Sequence, residues 1–154
     1  MPTTTSPTIY VDADACPVRA EVERVAGRTR VPAVMVSNGG IRPSADPLIS
    51  VVAVPDGPDA ADDWIATRAG PGDVVVTRDV PLAARCLEAG AAVLGPGGRE
   101  FTAASIGQAL AGRAIAQHMR EVTRNETRHA AFSAADRQAF LNALDRLLTR
   151  ARRG

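Results

Sequence analysis

The chain has 154 residues, of which 45% are hydrophobic, and this size and composition suit a single domain with a full core. No apolar run approaches the roughly 20 residues of a membrane span, and residues 1–7 lack the order of a signal peptide, so we expect a cytoplasmic protein without membrane contact. The two cysteines are too few for a disulfide framework or a zinc site, and the 18 basic residues are all arginine, which excludes chemistry that requires a lysine amine.

Charge is distributed unevenly along the chain. The net charge is +1, but residues 1–100 contain 9 Arg against 13 Asp or Glu, whereas residues 101–154 contain 9 Arg against 4. An acidic body therefore carries a basic tail. Such a tail suits contact with phosphates, and it equally suits a solvated helix face.

Five short apolar runs have the length and composition of strands. The first ends at Asp12, and the others cover residues 31–36, 49–54, 74–76 and 91–94. Continuous apolar runs are typical of parallel strands that are covered on both faces. Helices are indicated by apolar spacing before Gly27, from Asp59 to Ala69, and before Gly90. The pattern predicts an α/β fold with three layers and a mostly parallel sheet of about five strands, wound in both directions from the first strand.

After residue 100 the pattern is helical only. Ile106, Leu110, Ile115 and Met119 mark one helix, residues 123–129 are polar and predict a loop, and residues 133–136 resemble a capping box ahead of a final helix. We expect a disordered N-terminus at 1–7 and one domain at 8–154, with an α/β core at 8–100 and a helical extension at 101–154.

Aspartates concentrate at the predicted strand ends and in the first turns of the helices that follow. Winding outward from the first strand makes the first and fourth strands neighbours, so Asp12 and Asp79 should approach each other, and Asp62 should join them from the preceding helix. Crowded carboxylates repel one another, and a bound cation relieves the repulsion. Oxygen ligands alone suit Mg²⁺ or Mn²⁺, which activate water for displacement at phosphorus. The predicted catalytic and metal-holding residues are Asp12, Asp62 and Asp79, with Asp14, Asp59 and Asp63 completing the shell.

Several of these acids also have a purely structural interpretation. Asp59 and Asp79 stand where a helix N-cap is expected, Asp14 can serve the start of the first helix, and Asp63 can be solvated. Asp12 is harder to explain in this way, because a carboxylate at the end of a buried strand is costly unless something pairs with it.

Other polar residues on the same predicted edge are candidates for substrate contacts. They are Ser37, Asn38, Thr77, Arg78, Arg85 and Arg99. Guanidinium groups bind phosphate well, although these arginines equally fit as counter-charges to the aspartates. The segment that begins at Ser37 also fits a simple turn.

Three segments together resemble the YaiI/YqxD family of uncharacterised bacterial proteins, which is PIN-like. They are YVDADACPV at residues 10–18, DAADDWI at 59–65 and GDVVVTRDVPLA at 72–83. PIN-type ribonucleases carry one Asp after the first strand, another in the helix before the fourth, and a Thr-x-Asp after the fourth. Asp12, Asp62 and Thr77-Arg78-Asp79 match these positions, so the resemblance implies a cut in RNA that depends on Mg²⁺ or Mn²⁺. Many PIN domains bring a further glutamate from a mid-domain helix, and this chain has no Glu between Glu23 and Glu88.

The sequence leaves two other functions open. A haloacid-dehalogenase-like phosphatase would use Asp12 as its nucleophile, but such enzymes hold the phosphate with a lysine, which this chain lacks. A non-catalytic PIN-like domain would bind RNA or a protein through the basic tail, although few aromatic residues are present to stack on bases. A homo-oligomer is compatible with either function.

Overall fold

The computed structural model describes residues 7–14, 16–39, 42–55, 59–110 and 133–153. A six-stranded sheet lies at the centre of these residues. The strands within these ranges are β1 (Ile9–Asp12), β2 (Ala33–Ser37), β3 (Ile49–Ala53), β4 (Val74–Val76), β5 (Ala92–Leu94) and β6 (Glu100–Phe101). Their order across the sheet is β3-β2-β1-β4-β5-β6, with β1 to β5 parallel and β6 antiparallel to β5. The predicted winding in both directions from the first strand is therefore confirmed.

Helices cover both faces of this sheet. Those within the described ranges are α1 (Arg19–Thr29), α2 (Ala60–Ala66), α3 (Val80–Glu88), α4 (Ala103–Leu110) and α5 (Ala134–Arg153). Along β1, Ile9 and Val11 pack with α1 and α5, whereas Tyr10 packs on the other side with α2 and α3. This alternation is what a strand between two helical layers requires. The predicted three-layer α/β class is confirmed.

The C-terminal helix is part of the core. Phe140 and Leu144 are fully buried, and they belong to the same apolar cluster as β1 and α1. The strand β6 spans the expected boundary between residues 100 and 101, so the last part of the chain begins with a strand rather than with helix only. The helix expected at Ile115 and Met119 and the loop expected at 123–129 lie outside the described residues.

Two helix ends differ from the sequence prediction. Helix α1 continues past Gly27 to Thr29 and ends at Arg30, which adopts the left-handed conformation at φ 58° and whose amide donates to the carbonyl oxygen of Ala26. Helix α2 ends at Ala66 rather than at Ala69, where the chain passes into a turn. At the other end of the chain, residues 1–6 lie outside the described ranges, and Pro7 is buried. None of the described helices is both long and apolar enough to cross a membrane.

Candidate functional site

The carboxyl ends of β1 and β4 bring Asp12 and Thr77 into contact. The two strands are adjacent and parallel, with Val11 opposite Val76. The Thr77 hydroxyl donates a hydrogen bond of 3.0 Å to Oδ2 of Asp12. Both side chains are buried, at 7% exposure for Asp12 and 0% for Thr77. Burial raises the pKa of Asp12, the Thr77 hydrogen bond opposes this, and the nearby charges of Asp79 and Asp14 raise the pKa further.

Asp79 joins this pair at the start of α3. Its Oδ1 accepts the backbone amide of Leu82 at 2.9 Å, so the N-cap role suggested by the sequence is present. Its own backbone amide donates to the Thr77 hydroxyl oxygen at 3.0 Å. Because the Asp79 charge also raises the pKa of Asp12 and of Asp62, capping does not account for the whole of its electrostatic effect.

Asp62 approaches the same edge from the first turn of α2. Its pKa is raised from 3.8 to about 6, first by burial and then by the charges of Asp79, Asp12 and Asp59, while Arg85 acts in the opposite direction. Carboxylates from three separate parts of the chain therefore influence one another. A strongly perturbed carboxyl surrounded by other acids is typical of a functional site.

Asp14 is held by the end of β2. Ser37 donates its hydroxyl to Oδ1 of Asp14 at 2.7 Å, and the backbone amide of Asn38 donates to Oδ2 at 2.8 Å. The side-chain amide of Asn38 in turn donates to the carbonyl oxygen of Pro55 at 3.3 Å, just beyond β3. These bonds tie the ends of three adjacent strands together. Ser37 is 1% exposed, and its predicted contact with substrate stays a prediction.

The two remaining predicted acids have different surroundings. Asp59 occupies the N-cap position of α2, but its side chain makes no capping hydrogen bond there. Its charge contributes to the raised pKa of Asp62. Asp63 forms a 2.8 Å ion pair with Arg85, and both side chains are largely exposed, which fits the solvated interpretation of Asp63. Arg85 thus serves as a counter-charge in this structure.

Arg78 and Arg99 lie in the loops that follow β4 and β5. Arg78 is half-buried beside Cys16, and Arg99 is exposed. The Arg99 loop closes as a turn, in which the amide of Gly95 donates to the carbonyl oxygen of Arg99 at 2.8 Å. Contacts of these arginines with substrate stay predictions.

Cys16 does not suit nucleophilic chemistry. Burial and the charge of Asp12 raise the pKa of its thiol to about 12, although the charge and backbone amide of Arg78 oppose the change. The thiol therefore stays protonated at neutral pH, and the thiolate is the reactive form.

The chemistry of the acidic edge fits a hard divalent cation. We define the acidic edge as Asp12, Asp62 and Asp79, which offer carboxylate oxygens only. Within the described ranges, no group of three or more His, Cys, Asp or Glu side chains is arranged as a ready metal cage. Mg²⁺ does not require such a cage, because it usually keeps several waters and takes one or two carboxylates from the protein.

A cavity of about 480 Å³ lies beside β1 and α1. It is lined by Val11, Met35, Cys16, Arg19 and Arg137, among others, and by none of the predicted site residues. Because Val11 and Met35 belong to the α1 and α5 side of the sheet, the cavity opens on the face opposite α2 and α3. The carboxyl groups of Asp12 and Asp62, whose pKa values are raised, belong to the acidic edge and do not line the cavity.

Comparison with known proteins gives a consistent set of relatives. A family model described as "Uncharacterized BCR, YaiI/YqxD family" matches residues 10–150. The chain is 58% identical over 146 residues to a UPF0178 protein of Mesorhizobium japonicum, covering 95% of this chain and 94% of the relative. It is 57% identical over 148 residues to a UPF0178 protein of Ruegeria pomeroyi, covering 95% and 96%. A UPF0178 protein of Caulobacter vibrioides is 51% identical over 146 residues, with 95% of each chain covered. No solved structure gives a significant match to this chain.

Proposed function

The chain belongs to the YaiI/YqxD family, and from its acidic edge we propose that it is a ribonuclease of the PIN-like type that depends on Mg²⁺ or Mn²⁺. The observation that carries this proposal is the meeting of distant acids at the ends of β1 and β4, where the Thr77 hydroxyl donates to Asp12 and accepts from the backbone amide of Asp79, each at 3.0 Å. Burial and the charges of Asp79, Asp12 and Asp59 raise the pKa of Asp62 beside them to about 6. Folding has gathered like charges at a cost that a bound cation offsets.

The hydrogen bonds at the acidic edge hold two carboxylates and leave each with one oxygen for a ligand. Among the described residues, Asp12 is bonded through Oδ2 and Asp79 through Oδ1. One or both of these free oxygens would hold the cation, and the carboxylate of Asp62 would act on it directly or through a bound water. A bound divalent cation lowers the pKa of a coordinated water and neutralises charge on the phosphate. No covalent nucleophile is required from the protein.

The arginines near the acidic edge supply a means of binding a polyanion. Arg78 follows β4 directly, and Arg99 is exposed in the loop after β5. Guanidinium groups bind phosphate oxygens in a bidentate manner, and such contacts place a nucleic acid without selecting its sequence. We propose that they hold the RNA backbone.

Cleavage of end-labelled single-stranded RNA tests this function. Wild type is assayed with Mn²⁺ and with EDTA, beside Asp12→Asn and Asp79→Asn. Asparagine is also a good N-cap residue, so Asp79→Asn keeps helix α3 capped while it removes the charge. Asp145→Asn is the matched control, because Asp145 lies on α5 and pairs with Arg28.

We expect cleavage by wild type and Asp145→Asn in Mn²⁺, and none in EDTA or with the two site variants. Cleavage that resists EDTA, or that is undiminished in Asp79→Asn, contradicts the proposal. RNA binding without cleavage points instead to a binding domain. A phosphorylated Asp12 after incubation with a phosphate ester points to a phosphatase.

A further inference from the structure

The cavity beside β1 and α1 has the size and lining of a small-ligand site. Its volume of about 480 Å³ lies within the range of about 300–1,000 Å³ that such sites occupy. Val11 and Met35, which are fully buried, give it an apolar wall, and Arg19, Glu21 and Arg137 add charged groups. An apolar wall with a few polar groups suits a ligand that has both an apolar face and a polar edge.

Glu21 is the polar residue of the cavity that most lacks donors. Its side chain is 16% exposed, and its carboxylate accepts no hydrogen bond from any residue that the structure describes. Arg137 forms an ion pair with it at 3.9 Å, which is longer than a hydrogen bond. A largely buried carboxylate without donors is costly. A ligand that brings N–H groups to Glu21 would remove this cost.

The cavity adjoins the acidic edge. Val11 and Ala13, which line it, precede and follow Asp12 in the chain. Cys16 also lines it, and burial and then the charge of Asp12 are the main causes of the raised pKa of the Cys16 thiol. The Cys16 sulfur accepts the backbone amide of Arg78, a residue that we assign to the RNA backbone. A nucleotide whose phosphate lies at the acidic edge therefore has a neighbouring cavity for its base.

We propose that this cavity binds a guanine base of the RNA beside the phosphate that is cleaved, with the Glu21 carboxylate accepting from N1–H and N2–H of the base; the inference rests on the proposed function. Guanine carries two adjacent N–H groups on its Watson–Crick edge, matching the two oxygens of a carboxylate, whereas each other RNA base has one N–H-bearing nitrogen there. Guanidinium groups bind O6 and N7 of guanine. Arg19 donates through Nε to Glu23 at 2.6 Å, which leaves its Nη groups for such an acceptor.

Two substitutions test the cavity in the full chain. Glu21→Gln keeps the length of the side chain but replaces one acceptor oxygen by an amide donor, which opposes a guanine N–H. Ala20→Leu fills the mouth, since Ala20 is exposed on α1 and lines the cavity. The matched controls are Glu88→Gln, an exposed glutamate of α3, and Ala104→Leu, an exposed alanine at the second position of α4, as Ala20 is of α1.

The affinities for guanosine, adenosine, cytidine and uridine 5′-monophosphates are measured by NMR chemical-shift titration in EDTA. We expect wild type and both controls to prefer guanosine monophosphate, and Glu21→Gln and Ala20→Leu to bind it at least about tenfold more weakly. Equal affinity for the four nucleotides, or unchanged affinity in Glu21→Gln, would overturn the proposal. If Glu21→Gln does not fold by circular dichroism, Ala20→Leu decides, and unchanged affinity in that variant overturns it.

Mapping of the cuts in an RNA of mixed sequence tests where the base lies. We expect wild type to cut beside guanosines and Glu21→Gln to cut without this preference, and cuts spread evenly by wild type contradict the inference. Because the nucleotide titration contains no metal, the two proposals can fail separately. Cleaved RNA without binding of guanosine monophosphate rejects the base site alone. Specific binding without cleavage supports the guanine site and rejects the nuclease.

Discussion

Neutralising Asp62 should stabilise the metal-free protein. The folded-state pKa of about 6 lies above the ordinary 3.8, so folding favours the protonated form. The contribution of Asp62 to the free energy of unfolding is fully present below about pH 4 and is lost as the pH rises through about 6. A difference of about 2 pKa units has an upper limit of about 3 kcal/mol. Because the Asp62 side chain remains partly exposed, solvent screening reduces this to about 1 kcal/mol.

Asp62→Asn mimics the protonated form at every pH. Thermal unfolding in EDTA at pH 7.5 should show a midpoint about 2–4 °C above that of wild type, and the difference should disappear near pH 4. Asp63→Asn is the control, because it removes the same charge from the same helix but breaks the ion pair with Arg85. If Asp62→Asn is no more stable than wild type at pH 7.5, or behaves like Asp63→Asn, the charge of Asp62 does not destabilise the folded protein.

Three further predictions concern the packing and hydrogen bonds of the fold outside the acidic edge. Gly98→Ala should lower the free energy of unfolding by about 2–4 kcal/mol, because Gly98 has φ +92° and an added Cβ would lie 2.7 Å from the carbonyl carbon of Ala139. Urea unfolding measures this loss, and an unchanged midpoint would contradict the close approach of the two backbones. Leu144→Ala should cost about 2–5 kcal/mol in the same assay, because Leu144 is fully buried in the cluster that joins α5 to the sheet; a loss below 1 kcal/mol would mean that α5 is peripheral. Asp73→Ala should cost about 2 kcal/mol, because its carboxylate accepts two backbone amides at 3.1 and 3.0 Å; Asp73→Asn, which retains one acceptor oxygen, should lose less.

The sheet could be predicted from the sequence because its physical causes are local. Continuous valine-rich runs such as 74–76 identify buried parallel strands, and short connections limit how those strands can be ordered. The neighbouring positions of β1 and β4 follow, and with them the approach of Asp12 to Asp79. The position of α5 in the core is harder to predict from the sequence. An amphipathic pattern shows that a helix has a buried face, but it does not show which surface covers that face.

The roles of the hydroxyl groups could not be read from the sequence. Thr77 and Ser37 each follow or end a strand beside an acid, and such a position suits a substrate contact as well as an internal hydrogen bond. The choice depends on burial and on distances of 3.0 Å and 2.7 Å to aspartates that are 65 and 23 residues away in the chain. Contacts of that separation arise only from the assembled sheet. In the same way, the composition around Gly27 does not indicate that the helix ends at Arg30 in the left-handed conformation.

Calorimetric titration of Mn²⁺ into wild type, Asp62→Asn and Asp145→Asn measures whether the gathered carboxylates bind a divalent cation. We expect a saturable site in wild type, binding at least about tenfold weaker in Asp62→Asn, and wild-type affinity in Asp145→Asn. Absence of binding in wild type, or equal affinity in all three proteins, would contradict it.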